Sequence, residues 1–196
     1  MKVSLREPFS SYIIHRLGID EQVKSFDCGD ADLNDFILND SGLYRKSLLS
    51  VSYVFEAPGD VNHEQIAAYF SLANDRVSLS DFPCKTAFNR FRRHRFVNEK
   101  RLKSYPAVKI CRLGVDSSLK GLRIGQFLIN FIKYYFLSDN KTGCRFLTVD
   151  AYAAALPFYF KNGFEPLNEE DKNEPTRLLY FDLASIEWSG QEDLGK

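Results

Sequence analysis

The spacing of apolar residues changes period along this chain, and each change predicts an element. Leu33, Phe36 and Ile37 recur at helical spacing, with Asp30 as N-cap and Asp32 in the first turn, where a carboxylate suits the helix dipole. A second short helix is expected over 41–48. Ser50–Glu56 alternates and is rich in β-branched and aromatic residues, so it reads as a strand. Ala57-Pro58-Gly59-Asp60 has the composition of a turn, and Gln65–Ala73 is a second strand, which makes a hairpin. Residues 12–26 are expected as an entry strand or extended lead.

Ala107–Val115 returns to strand. Val108 and Ile110 share one parity and Leu113 and Val115 the other, a change of phase that one extra residue produces, so a β-bulge is predicted near Ile110–Leu113. The turn Asp116–Lys120 leads into an amphipathic helix. Ile124, Leu128, Phe131, Ile132 and Tyr135 lie on one face, and Gln126, Asn130 and Lys133 on the other. Cys144–Asp150 is the next strand. A short helix follows from Leu156, with Pro157 tolerated in its first turn and Gly163 as a left-handed C-cap. Glu165–Lys172 reads as loop, Arg177–Leu183 as the last strand and Gln191–Lys196 as a frayed tail. The succession predicts a single mixed α/β (α+β) domain over 1–196, with 74–105 a loop or helical excursion between strands rather than core, and 185–196 a C-terminal tail.

Composition narrows the function classes. With 196 residues, 44% of them hydrophobic, the chain can bury a substantial core. Lys and Arg total 26 and Asp and Glu 26, so net charge gives no pull toward nucleic acid or membrane. No apolar run approaches the roughly 20 residues that cross a bilayer. Met1–Pro8 lacks the apolar core of a signal peptide, so a cytoplasmic protein without membrane partners is expected. Cys28, Cys84, Cys111 and Cys144 are scattered, and His15, His63 and His94 are isolated; free, mostly buried thiols and no metal are expected. HExxH, GxSxG and GxxxxGK[ST] are all absent from the sequence.

The candidate chemistry lies in Arg112–Leu128. A strand, a polar turn with glycines and then a helix set unpaired backbone amides at a helix N-terminus, where the dipole favours phosphate. Farther on stands Phe158-Tyr159-Phe160-Lys161-Asn162-Gly163-Phe164. Together, the strand ending Arg112-Leu113-Gly114-Val115, the turn Lys120-Gly121-Leu122-Arg123-Ile124-Gly125 and this Tyr-x-x-x-Gly-Phe close resemble the GNAT superfamily of acetyl-CoA-dependent N-acetyltransferases. Arg123 departs from the family pattern, which has a glycine there.

The resemblance implies a central, mostly antiparallel, bulged and splayed sheet flanked by helices. It implies acetyl-CoA as co-substrate, with pyrophosphate over the amides of Gly121, Leu122, Arg123, Ile124, Gly125 and Gln126 and charge-assisted contacts from Lys120 and Arg123. The backbone of Leu113, Gly114 and Val115 would meet pantetheine, and the Val115 N–H would polarise the thioester carbonyl. Tyr159 would protonate the departing thiolate, a phenol near pKa 10 against a thiol near 8.5. An amine would attack directly, without an acyl-enzyme. Glu56, Tyr69 and Ser71 lie on strands expected near the acceptor, and parity alone selects none as general base.

Phe26-Asp27-Cys28-Gly29 followed by Leu33 is similar to a subgroup that includes the acetyltransferase toxins of toxin–antitoxin pairs. That likeness adds an aminoacyl-tRNA acceptor and an antitoxin to the partners expected of such an enzyme, namely a small or macromolecular amine and a second copy of the chain. Arg90, Arg92, Arg93 and Arg95, with Phe88, Phe91 and Phe96 interleaved and Lys100, Arg101 and Lys103 beyond, have the composition of an RNA contact. The same residues also suit a solvated loop whose phenylalanines anchor it to the body. A non-catalytic acyl-CoA-binding module is the reading from another class.

Overall fold

The computed structural model describes the backbone of residues 3–4 and residues 11–56, 65–97, 101–138, 140 and 142–186. Its strands are β1 (Val3–Ser4), β2 (Ile13–Arg16), β3 (Val51–Glu56), β4 (Ala68–Ser78), β5 (Ser104–Val115), β6 (Phe146–Tyr152), β7 (Glu165–Pro166) and β8 (Thr176–Asp182). They hydrogen-bond in the order β1-β2-β3-β4-β5-β6-β8-β7. β5 and β6 run parallel, while β1–β2, β2–β3, β3–β4, β6–β8 and β7–β8 are antiparallel. The helices are α1 (Ala31–Asp35), α2 (Ser41–Lys46), α3 (Lys85–Arg93), α4 (Ile124–Ser138) and α5 (Leu156–Lys161), with a π-helical turn over Phe36–Asp40 joining α1 to α2. This is the mixed α/β architecture that the hydrophobic pattern predicts. The turn expected at 57–60, Lys100 and the tail 191–196 lie outside the described residues.

The chain divides into two compact units, one drawn from the described residues of Met1–Ala73 and Ile110–Phe131, the other from those of Asn74–Lys109 and Ile132–Glu187. In the first, β2, β3 and β4 form an antiparallel meander, with Val54 opposite both Tyr69 and His15. Asp30 accepts the Leu33 N–H at 3.1 Å, the expected N-cap, and the helical run it starts covers one face of the meander. Leu17, Val23, Phe26, Phe36, Ile37, Val54, Ile66 and Tyr69 form the core there. On the other face, Phe55 and Phe70 meet Phe127 and Phe131 of α4 at ring separations of 5.6 and 6.1 Å. Buried Arg45 ties α2 to the lead segment, donating to the carbonyls of Gly18 (2.9 Å) and Glu21 and to the Ser41 hydroxyl (2.9 Å).

In the second unit, β6 pairs with β8 along its whole length, from Phe146 opposite Asp182 to Tyr152 opposite Thr176. α3 covers this sheet, and Val77, Phe88, Phe91, Tyr105, Ala107, Phe146, Leu167 and Tyr180 form its core. The helical alternative for 74–105 holds over Lys85–Arg93, whereas the expectation that this stretch lies outside the core is corrected. β4 continues to Ser78, β5 begins at Ser104, and Phe88 and Phe91 are core residues rather than loop anchors. The arginines between them hide a helical period whose apolar stripe is only one residue wide. The stretch Glu165–Lys172 holds the edge strand β7 and part of a 3-10 turn, where an unstructured loop was expected.

Burial along β5 shows the change of phase from which the bulge is expected: Tyr105 and Ala107 are buried on one parity, Val108, Ile110 and Gly114 on the other. Tyr69 and Val77 share a face of β4, being an even number of residues apart. Val77 clusters with Ala107, whereas Gly114 faces Tyr69, and along β5 those two are an odd number apart. One extra residue between Ala107 and Gly114 restores the alternation. The parallel register with β6 covers only Ala107–Lys109 opposite Phe146–Thr148, and β5 runs on past it to Val115.

α4 buries Ile124, Leu128, Ile129, Ile132 and Phe136, while Phe131 and Tyr135 are half-buried. Lys133, expected on the polar face, is 7% exposed. Its ammonium has found a carbonyl partner inside the protein, so its four methylenes can be buried without stranding the charge.

Candidate active site

The turn between β5 and α4 is held from below. Asp116 is buried; its N–H donates to the Ala67 carbonyl at 2.9 Å, and its carboxylate accepts from the Ser118 N–H (3.0 Å) and hydroxyl (2.6 Å). The Ser117 N–H donates to the Asp27 carbonyl at 2.8 Å. The Asp27 carboxylate in turn accepts from the Gly29 N–H and the Asn34 amide, both at 2.8 Å, and these bonds hold its pKa below the usual carboxylate value. Asn34 also accepts the Cys28 N–H at 2.9 Å. Phe26-Asp27-Cys28-Gly29 is thus a brace for the turn.

Above that brace the backbone twice enters the left-handed region, at Gly121 (φ 89°) and Arg123 (φ 60°). A side chain added at Gly121 would have open space within 4 Å, so the glycine is required by conformation rather than by room. Arg123 adopts a left-handed shape that glycine takes without cost, which strains the backbone by roughly 1 kcal/mol. Its carbonyl accepts the Phe127 N–H at 3.0 Å, the first intrahelical bond of α4. The amides of Ile124, Gly125 and Gln126 therefore precede the helical ladder and have no acceptor within it. Lys120, Gly121, Leu122, Arg123 and Gln126 are exposed, Gly125 is half-buried and Ile124 is buried as the first core contact of α4. Two cations, an open glycine and a row of free amides fit a pyrophosphate.

Leu113 and Val115 are half-buried on β5 and Gly114 is buried. An added Cβ at Gly114 would lie 3.0 Å from the rings of both Phe26 and Tyr69, so this glycine is fixed by packing. Tyr69 donates to the Leu33 carbonyl at 2.7 Å, and burial pushes its pKa well above the ordinary phenol value. It serves the core and is unsuited to be a base. Ser71 is fully buried, and Glu56 lies 3.1 Å from His15.

Tyr159 belongs to the other unit. It is 7% exposed on α5, with its ring against Phe158 (5.1 Å) and Phe164 (5.4 Å). Burial alone raises its pKa to about 12, so the phenol keeps its proton at neutral pH and can give it to a stronger base. The helix is short and closed as expected, with Pro157 at its start and Gly163 at φ 77°. The Phe164 N–H returns to the Tyr159 carbonyl at 3.1 Å.

The four arginines of α3 and its end divide into two kinds. Arg92 donates to the carbonyls of Arg101 (3.1 Å) and Leu102 (3.0 Å) and lies over Phe88. Arg95 donates to the Phe91 carbonyl (3.0 Å) and the Tyr180 hydroxyl, lies 4.2 Å from the Phe91 ring centre and pairs with Asp182 at 3.6 Å. Arg90 and Arg93 are exposed. Sequence spacing alone gives no signal for that division. Of the cysteines, Cys28 and Cys144 are buried, whereas Cys84 is exposed and Cys111 half-buried, so the expectation of mostly buried thiols holds for two of the four. No helix among the described residues is long and apolar enough to cross a membrane.

Residues 95–181 match the family model described as an acetyltransferase (GNAT) domain. Among solved structures, the chain is similar to a tyrosine-to-phenylalanine mutant of KacT, with 22% identity, 90% of this chain and 98% of that one covered and a TM-score of 0.70. It is similar to AtaT complexed with acetyl-methionyl-tRNAfMet, with 25% identity, 90% and 97% coverage and a TM-score of 0.66. It is also similar to AtaTR bound with AcCoA, with 24% identity, 90% and 96% coverage and a TM-score of 0.65. No curated protein matches the sequence.

Proposed function

We propose that this chain, which carries an acetyltransferase (GNAT) domain, moves the acetyl group of acetyl-CoA directly onto a primary amine. The observation that carries the reading is the turn at 120–126. Two left-handed positions either side of Leu122, Gly121 and Arg123, lead into the first amides of α4, flanked by the exposed cations Lys120 and Arg123. The pyrophosphate of acetyl-CoA would sit there. The Val115 N–H, at the end of β5, would stabilise the oxyanion as the amine nitrogen bonds to the thioester carbonyl carbon. The C–S bond then breaks, Tyr159 gives its proton to the leaving thiolate, and the proton shed by the acylated nitrogen passes to solvent, from which the phenol is restored. No residue becomes acylated. Specificity for the acceptor lies outside these contacts.

The experiment is CoA release from acetyl-CoA across a panel of amines that includes total aminoacyl-tRNA. At least one amine should be consumed, and Tyr159→Phe should lower kcat by about 10²–10⁴-fold while acetyl-CoA still binds. Bound acetyl-CoA with no amine consumed would make the chain an acyl-CoA-binding module. An unchanged kcat in Tyr159→Phe would remove Tyr159 from the mechanism.

A narrower reading takes the amino group of an aminoacyl-tRNA as the acceptor, with an antitoxin as partner. It is supported by the likeness to AtaT, whose structure holds acetyl-methionyl-tRNAfMet, by structures of the AtaT toxin bound to the C-terminus of the antitoxin AtaR and of AtaT-AtaR and KacTA complexes with DNA, and by exposed Arg90 and Arg93. Filter binding of bulk tRNA across a salt series tests it: absence of binding at low ionic strength would exclude it.

A further inference from the structure

We infer that Lys133 is a positioning residue for Tyr159: from α4 it clamps the C-terminal turn of α5, on which that phenol stands. The inference rests on Tyr159 acting as the acid. Lys133 Nζ donates to the Asn162 carbonyl at 2.6 Å. Asn162 caps α5, its N–H reaching the carbonyls of Phe158 (3.2 Å) and Tyr159 (3.0 Å) and its side-chain amide the Phe158 carbonyl (2.8 Å). A cation at the end of a helix also opposes the negative pole of its dipole.

A second line of contact runs through rings. The ammonium lies 3.7 Å from the centre of Phe181, Phe181 packs on Phe164 at 5.6 Å, and Phe164 packs on Tyr159 at 5.4 Å. Lys133 thus reaches the backbone and the ring of Tyr159 by separate routes. A helix of six residues has few hydrogen bonds of its own to fix its rotation, so an external clamp at its end matters more than on a long helix.

Burying an ammonium is expensive, and a neutral side chain could fill the same space. Among the described residues, the groups that face Lys133 are the Asn162 carbonyl and the rings of Phe164 and Phe181. Burial is the only cause that moves its pKa, which falls to about 8, with no charged group on a neighbouring element contributing. The clamp therefore loses its charge as pH rises through about 8. The neutral amine can still donate to Asn162, but without the charge assistance or the attraction to Phe181.

The test is a double-mutant cycle of Lys133→Met with Tyr159→Phe, followed by kcat, KM for acetyl-CoA and the pH profile. Lys133→Met should lower kcat about tenfold with KM unchanged, lose the alkaline decline centred near pH 8, and cost nothing further in the Tyr159→Phe background. A full kcat in Lys133→Met, or the same fold-loss in both backgrounds, would overturn the inference. A wild-type kcat in Tyr159→Phe alone would overturn the acid assignment itself, and with it the clamp's purpose. If Lys133→Met fails to fold, Lys133→Gln, which fills much of the same space without a charge, takes its place in the cycle with the same expectations.

Discussion

The Ser117 amide donates to the Asp27 carbonyl across 2.8 Å, so a residue far upstream fixes the start of the turn that would hold pyrophosphate. The Asp27 side chain keeps that carbonyl in place by accepting from Gly29 and Asn34. Asp27→Ala should raise KM for acetyl-CoA by roughly fivefold, the effect of one weakened positioning contact, with kcat changed less. The lowered carboxylate pKa also sets a sign. The stabilisation is present above the unfolded value near 4 and is lost as pH falls through the lower folded value. Wild type should therefore lose melting temperature faster than Asp27→Ala on titration below pH 4.

Arg123 supplies a cation at the cost of backbone strain. Glycine relieves a φ of 60° but gives the unfolded chain more freedom, so the two effects partly cancel. Arg123→Gly should change stability by less than about 1 kcal/mol, a shift of at most about 4 °C in melting temperature. Acetyl-CoA affinity should fall roughly tenfold at low salt, with the loss shrinking as salt is added. Calorimetry over a salt series checks this: an affinity insensitive to the substitution would mean that the turn works through its amides and Lys120.

The arginines of α3 separate structure from surface. Arg95→Ala removes bonds to the Phe91 carbonyl and Tyr180 and a cation–π contact, so it should destabilise the protein by about 2 kcal/mol. Arg90→Ala and Arg93→Ala should leave stability within about 0.5 kcal/mol. If tRNA is the acceptor, the double variant should flatten the dependence of log affinity on log salt by roughly 2. Urea melts and salt-dependent filter binding read the two outcomes separately.

Much of this was legible because strands and helix ends leave local signs. The apolar pattern of 107–115 marked a strand, and Pro157 with Gly163 bounded α5. The family-like turn at 120–126 was legible too, but its left-handed Arg123 was not, since side-chain identity argues against that conformation. What escaped depends on partners distant in sequence. Nothing near Asp27 says that its carbonyl will meet Ser117, and nothing near Phe91 says that Phe146 and Tyr180 will pack against it. Lys133 was placed on a polar face because periodicity counts a lysine as polar wherever it stands. The Asn162 carbonyl and the Phe181 ring, both distant in sequence, make its burial tolerable.

That burial predicts how stability responds to alkali. Lys133 titrates at about 8 in the folded protein against the usual 10.5, so below pH 8 both states hold the proton and the folded state bears the full cost of the buried charge. Between pH 8 and 10.5 the unfolded chain binds more protons than the folded one, and the contribution of this residue to stability rises with pH. The gain is on the order of 3 kcal/mol at its limit, and relaxation or water entry would make it smaller. Lys133→Met has no such titration. The difference in unfolding free energy between wild type and Lys133→Met should therefore shift in favour of wild type across pH 8–10.5, measured by urea denaturation at each pH. A difference that stays flat across this window would mean that Lys133 titrates at its ordinary value and that its ammonium remains charged wherever the enzyme works.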